Sequence, residues 1–132
     1  MIEKKKILMA DDDVQFVDSV KTLLESVGYN LFYTYKSRDI IDMAKDINPD
    51  LILLDIMFGG PKGPDGFRVS RMLHQDPMLK DIPVIIISGV RKVMHLPFDL
   101  QPDKRWMPVK AFIEKPIKAG ELLSEVKKVI GA

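Results

Sequence analysis

Short apolar runs separated by segments of helical period constrain this chain more than any other feature. Lys6-Ile7-Leu8-Met9-Ala10, Asn30 to Tyr35, Leu51 to Leu54, Val84 to Ile87 and Ala111 to Ile113 are each of strand length and bounded by polar or turn-forming residues. Between them the period changes. Phe16, Val20, Leu23, Leu24 and Val27 recur at spacings of three and four, and Gly28 stops the pattern. Ser37 is placed to cap a helix carrying Ile40, Ile41, Ala44 and Ile47, which Asn48-Pro49 ends. Phe67, Val69, Met72 and Leu73 define a third helix ending near Asp76-Pro77, and Leu122, Leu123, Val126, Val129 and Ile130 define the last. Strands that are apolar along most of their length are buried on both faces. Alternating with helices, they predict a five-stranded, doubly wound parallel α/β sheet with right-handed crossovers.

Composition narrows what such a fold can do here. At 132 residues the chain has the size of one domain, expected to span residues 1–132 with no output domain after the last helix. Apolar residues at 46% and charged residues at 30% are ordinary for a soluble globular protein, and no window has the character of a signal peptide or a membrane span, so a cytoplasmic location is expected. The absence of cysteine excludes disulfides, thiolate metal sites and cysteine nucleophiles. A net charge of +1 supplies no general attraction to nucleic acid or anionic lipid, and Lys4-Lys5-Lys6 reads as a solvated strand start.

In open sheets of this kind the ligand site lies beyond the carboxyl ends of the strands. Strand one ends in Asp11, Asp12 and Asp13, strand three in Asp55, strand four in Ser88 and strand five in Lys115. Singly, each has an ordinary reading as a cap, a turn residue or a surface charge. Their collection at one end is another matter. Like charges about 4 Å apart repel by roughly 1 to 4 kcal/mol, and one lysine does not balance the cluster. A hard divalent ion with oxygen ligands completes it, and a carboxylate beside such an ion can accept a phosphoryl group. The constellation points to phosphoryl transfer onto Asp55. His74 and His95 lack ligand spacing, and Trp106 reads as a packing residue.

Ile7-Leu8-Met9-Ala10-Asp11-Asp12-Asp13, Pro49 to Met57, Asp65-Gly66-Phe67, Ile82 to Gly89 and Phe112-Ile113-Glu114-Lys115-Pro116 resemble, in that order, the receiver domain of bacterial two-component response regulators. The resemblance implies a flavodoxin-like strand order, 2-1-3-4-5. It implies that Asp55 is the phosphoacceptor, taking the group from a sensor histidine kinase or phosphotransfer protein. Asp11 and Asp12 match the acidic pair that binds Mg²⁺ (or Mn²⁺) together with Asp55 and the Met57 backbone carbonyl. Ser88 and Lys115 match the residues that contact the phosphoryl oxygens, Phe112 matches the aromatic switch position that moves with Ser88, and the Lys115–Pro116 bond is expected to be cis. The implied protein is a stand-alone receiver that catalyses only its own phosphorylation and dephosphorylation. Its output is binding to a downstream protein, with no direct contact to nucleic acid or membrane.

Two segments depart from the family pattern. Phe58 to Pro64 carries about three extra residues beside the acceptor, and the proline-rich, basic segment from Gly89 to Lys110 replaces a regular fourth helix with an irregular or shortened one. Three other functions fit part of the pattern. A pseudo-receiver would bind partners without phosphorylation, but the set Asp11, Asp12, Asp55, Ser88 and Lys115 is complete. A haloacid-dehalogenase-like phosphatase would use Asp11 as nucleophile and Asp13 as acid, leaving Asp55 without a role. A flavin-binding protein would need a serine- or threonine-rich phosphate loop after the first strand, where this chain has aspartates.

Overall fold

The computed structural model describes residues 4–55, 66–88, 111–115 and 117–131. Its strands are β1 (Lys6–Ala10), β2 (Asn30–Thr34), β3 (Leu51–Asp55), β4 (Val84–Ser88) and β5 (Ala111–Glu114). They form one parallel sheet in the order β2-β1-β3-β4-β5, as expected. Among the described residues the helices are α1 (Val14–Ser26), α2 (Ile40–Ile47), α3 (Gly66–Gln75) and α4 (Ala119–Ile130). The 58–64 loop, the 89–110 segment, Met57, His95, Trp106 and the Lys115–Pro116 bond lie outside the described residues, as does any fourth helix between β4 and β5.

Strand periodicity divides the core in two. Leu8, Ala10, Ile52, Leu54, Val84 and Ile86 pack with Ile40 and Ala44 of α2 and with Val69 and Leu73 of α3. Their neighbours in sequence, Ile7, Met9, Leu51, Leu53, Ile85, Ile87 and Ile113, pack on the other face with Val17, Val20 and Leu24 of α1 and with Leu122 and Val126 of α4. Successive side chains on a strand point to opposite faces, so a strand covered on both sides must be apolar at every position. Every residue of β3 is accordingly buried. Each fully buried Leu or Ile side chain contributes about 1.5–3 kcal/mol.

The ends of the helices are set by specific contacts. Asp13 caps α1, its Oδ1 accepting from the Phe16 amide at 3.1 Å. At the other end Gly28 takes φ +101°, a conformation suited to glycine, and the Tyr29 amide returns to the Leu24 carbonyl at 3.1 Å. Asn48 ends α2 in the left-handed conformation, and Lys6 Nζ donates to the Ile47 carbonyl at 3.2 Å. The main chain of Lys6 also exchanges hydrogen bonds with Asp50, while Lys4 and Lys5 are exposed as expected.

Three local expectations are corrected. Ser37 does not cap α2: it is buried and begins a 3₁₀ turn (Ser37–Asp39) that leads into the helix. Val27 lies past the end of α1 and is exposed, so the buried stripe runs through Val17 instead. Met72 is exposed, and the buried face of α3 passes through Val69, Ser70 and Leu73.

Candidate functional site

The period that builds the core also aims the site. Asp11 follows Ile7 and Met9 in the alternation, Asp55 follows Leu51 and Leu53, and Lys115 follows Ile113, so all three share the sheet face covered by α1 and α4. Ala10 is in register with Leu54, and Asp55 with Ile87, which brings the carboxyl ends of β1 and β3 level. One oxygen from each of Asp11, Asp12 and Asp55 lies within 4.8 Å of the others.

The aspartates after β1 divide their work. Asp13 is the helix cap. Asp11 Oδ1 accepts from the Asp13 amide at 2.9 Å, which turns the chain and fixes the Asp11 carboxylate. Its Oδ2 is buried, accepts no hydrogen bond among the described residues, and faces Lys115 Nζ at 3.0 Å as an ion pair without hydrogen-bond alignment. Asp12 is exposed and offers its carboxylate from the solvent side.

Lys115 reaches Asp55 Oδ2 at 3.7 Å, and its ammonium lies 4.5 Å from the centroid of the Phe16 ring. Partial burial lowers the Lys115 pKa, but the side chain of Asp11 and the charges of Asp55, Asp11 and Asp13 raise it by more, so the net shift is upward from the usual lysine value. The amine is a cation at neutral pH. Three carboxylates against one ammonium leave a formal charge of −2 on the cluster. Asp11 and Asp55 are 0% and 5% exposed, so solvent does little to screen this excess. An all-oxygen donor set with a formal charge of −2, two of its three carboxylates buried, fits a hard divalent cation.

The structure thus brings together Asp11, Asp12, Asp55 and Lys115. Ser88 ends β4 in register with Glu114, and Phe112 lies within β5 in register with Ile86, which places both residues by their backbone. Phe16 is a site neighbour that apolar periodicity alone does not single out. Its signal was its place, one turn into the helix that opens from the acidic run. A groove of about 650 Å³ runs from Lys115 and Asp13 between α1 and the start of α4, along Phe16, Val20, Leu23 and Leu122.

A family model for the response regulator receiver domain matches residues 7–127. A curated relative, the polar-differentiation response regulator DivK of Brucella ovis, is 28% identical over 130 residues, covering 96% of this chain and 97% of the relative. Among solved structures, the signal receiver domain of a signal transduction histidine kinase from Syntrophus aciditrophicus superposes with a TM-score of 0.80 at 28% identity, over 96% of this chain and 89% of that one. The receiver domain of a sensor histidine kinase from Pseudomonas aeruginosa, solved with a magnesium ion coordinated in its active site cleft, has a TM-score of 0.79 at 20% identity. It covers 98% of this chain and 100% of that one, a likeness of fold.

Proposed function

Because this chain belongs to the response regulator receiver family, we propose that it is a stand-alone phosphorylation switch whose acceptor is Asp55. The observation that carries the reading is the meeting of Asp11, Asp12 and Asp55 with the ammonium of Lys115 at the carboxyl end of the sheet. The DivK relative, matched over 97% of its own chain, is itself a response regulator of this size.

In the proposed reaction an oxygen of Asp55 attacks the phosphorus of a phosphohistidine on a sensor kinase or phosphotransfer protein. A P–O bond forms, the P–N bond breaks with its electron pair leaving on the imidazole, and Asp55 becomes an acyl phosphate. Asp11, Asp12 and Asp55 would hold Mg²⁺ (or Mn²⁺), which would supply positive charge beside the phosphoryl group; the Met57 carbonyl is assigned as a further ligand, outside the described residues. Lys115 keeps its charge at neutral pH and exchanges its carboxylate partner for a phosphoryl oxygen. Ser88 is assigned the hydroxyl that binds another phosphoryl oxygen, and Phe112 the ring that moves with it. The output is phosphorylation-dependent binding of a downstream protein, with no catalysis on other substrates.

The test is intact mass after incubation with acetyl phosphate, with and without Mg²⁺, on wild type and Asp55→Asn. A Mg²⁺-dependent adduct, labile to hydroxylamine and absent from the variant, is expected. No adduct, in conditions that label a receiver of known activity, would favour a pseudo-receiver that binds partners without phosphorylation.

A further inference from the structure

Phe16 is an aromatic ring that the acceptor chemistry leaves without a role, and it touches Lys115, the one cation of the cluster among the described residues. Its amide is held by the Asp13 cap at 3.1 Å, so its backbone is anchored to the turn that also fixes Asp11. The ring is partly buried against the core beneath α1, and its face lies 4.5 Å from Lys115 Nζ. A ring face carries negative electrostatic potential and attracts an ammonium, but it takes no proton and binds no hard metal ion. Among the described residues Lys115 Nζ also meets the carboxylates of Asp11 and Asp55, at 3.0 and 3.7 Å. Those carboxylates have other work. When they turn to a divalent cation or, at Asp55, to a phosphoryl group, their hold on the ammonium weakens, and the ring is the contact that does not change.

We infer that Phe16 is a positioning residue: its ring face keeps the Lys115 ammonium at the mouth of the site while the carboxylates change partners. This rests on the acceptor reading above. Leucine at position 16 keeps apolar bulk and loses the ring face, whereas tyrosine keeps both. The experiment compares wild type, Phe16→Leu and Phe16→Tyr by two readouts. The first is the NMR shift of the Lys115 ε-methylene in metal-free protein, assigned with Lys115→Arg. The second is the rate of labelling by acetyl phosphate at saturating Mg²⁺.

The ring should shift the ε-methylene upfield in wild type and in Phe16→Tyr, and the shift should vanish in Phe16→Leu. Labelling should slow about threefold to tenfold in Phe16→Leu and stay within about twofold of wild type in Phe16→Tyr. An ε-methylene unmoved by Phe16→Leu removes the contact. Equal labelling of wild type and Phe16→Leu, or equal slowing in both variants, removes the positioning role and leaves packing. If wild type takes no phosphoryl group the acceptor reading fails, and the metal-free shifts still decide whether the ring holds the lysine.

Discussion

Ser70 carries a hydroxyl that finds no partner among the described residues. It lies in α3 beside Val69, is 1% exposed, and its Oγ makes no hydrogen bond to any of them. Burying a polar group in this way costs about 1–3 kcal/mol, and alanine is also the better helix former. Ser70→Ala should therefore raise stability by about 1 kcal/mol, seen as a higher urea midpoint with an unchanged slope. A lower midpoint would mean that the hydroxyl has a partner in solution. The acidic run shows why single residues are hard to read from sequence. Asp11, Asp12 and Asp13 have equal propensity to cap, and only the path of the backbone makes Asp13 the cap while Asp11 turns inward to Lys115. That strands one and three end in carboxylates, and strand five in a lysine, was legible from the order of residues alone. The Phe16 contact was not, because it depends on the rotation of α1 about its axis.

At the scale of elements, a polar residue just past the end of α3 reaches across to α2. Asp76 accepts from the Met78 amide at 2.8 Å, shaping the turn after α3, and pairs with Lys45 of α2 at 3.3 Å. The Met78 amide first, and Lys45 after it, hold the Asp76 carboxyl below its ordinary value of 3.8. A depressed carboxyl stabilises the fold above its unfolded pKa and loses that contribution as pH falls through its folded one. Asp76→Ala should then be less stable than wild type by a constant margin above about pH 5, and the margin should shrink as pH drops below that. Urea unfolding of both proteins from pH 7 to 3 measures it, and a margin independent of pH would sink the idea. Most elements were legible because burial on both sheet faces and a helical stripe leave different periods. Ser37, Val27 and Met72 were misplaced by about one residue or one turn. A capping serine and a 3₁₀ start share the same composition, and a stripe drawn from a few apolar residues tolerates a rotated helix axis.

At the scale of the whole molecule, the charge on the cluster links folding to metal. Unfolding disperses Asp11, Asp12 and Asp55 along the chain, so a divalent cation held by them would bind the folded form in preference. At about 100 times its Kd it should add about 2.7 kcal/mol of stability. Chemical unfolding with and without Mg²⁺ reads this directly. Asp12→Ala, which changes an exposed side chain and spares the core, should abolish most of the increment. An increment of undiminished size in that variant would place the ion elsewhere.

The shared alternation of core and site has one more consequence. Asp11, Asp55 and Lys115 point as they do because Ile7, Met9, Leu51, Leu53 and Ile113 point the same way. A strand that slipped by one residue would bury its carboxylate against the opposite layer of helices and misplace the packing of the whole strand at once. The arrangement therefore acts as a parity check on assembly. A molecule that reaches its compact state has its acidic pocket already aligned.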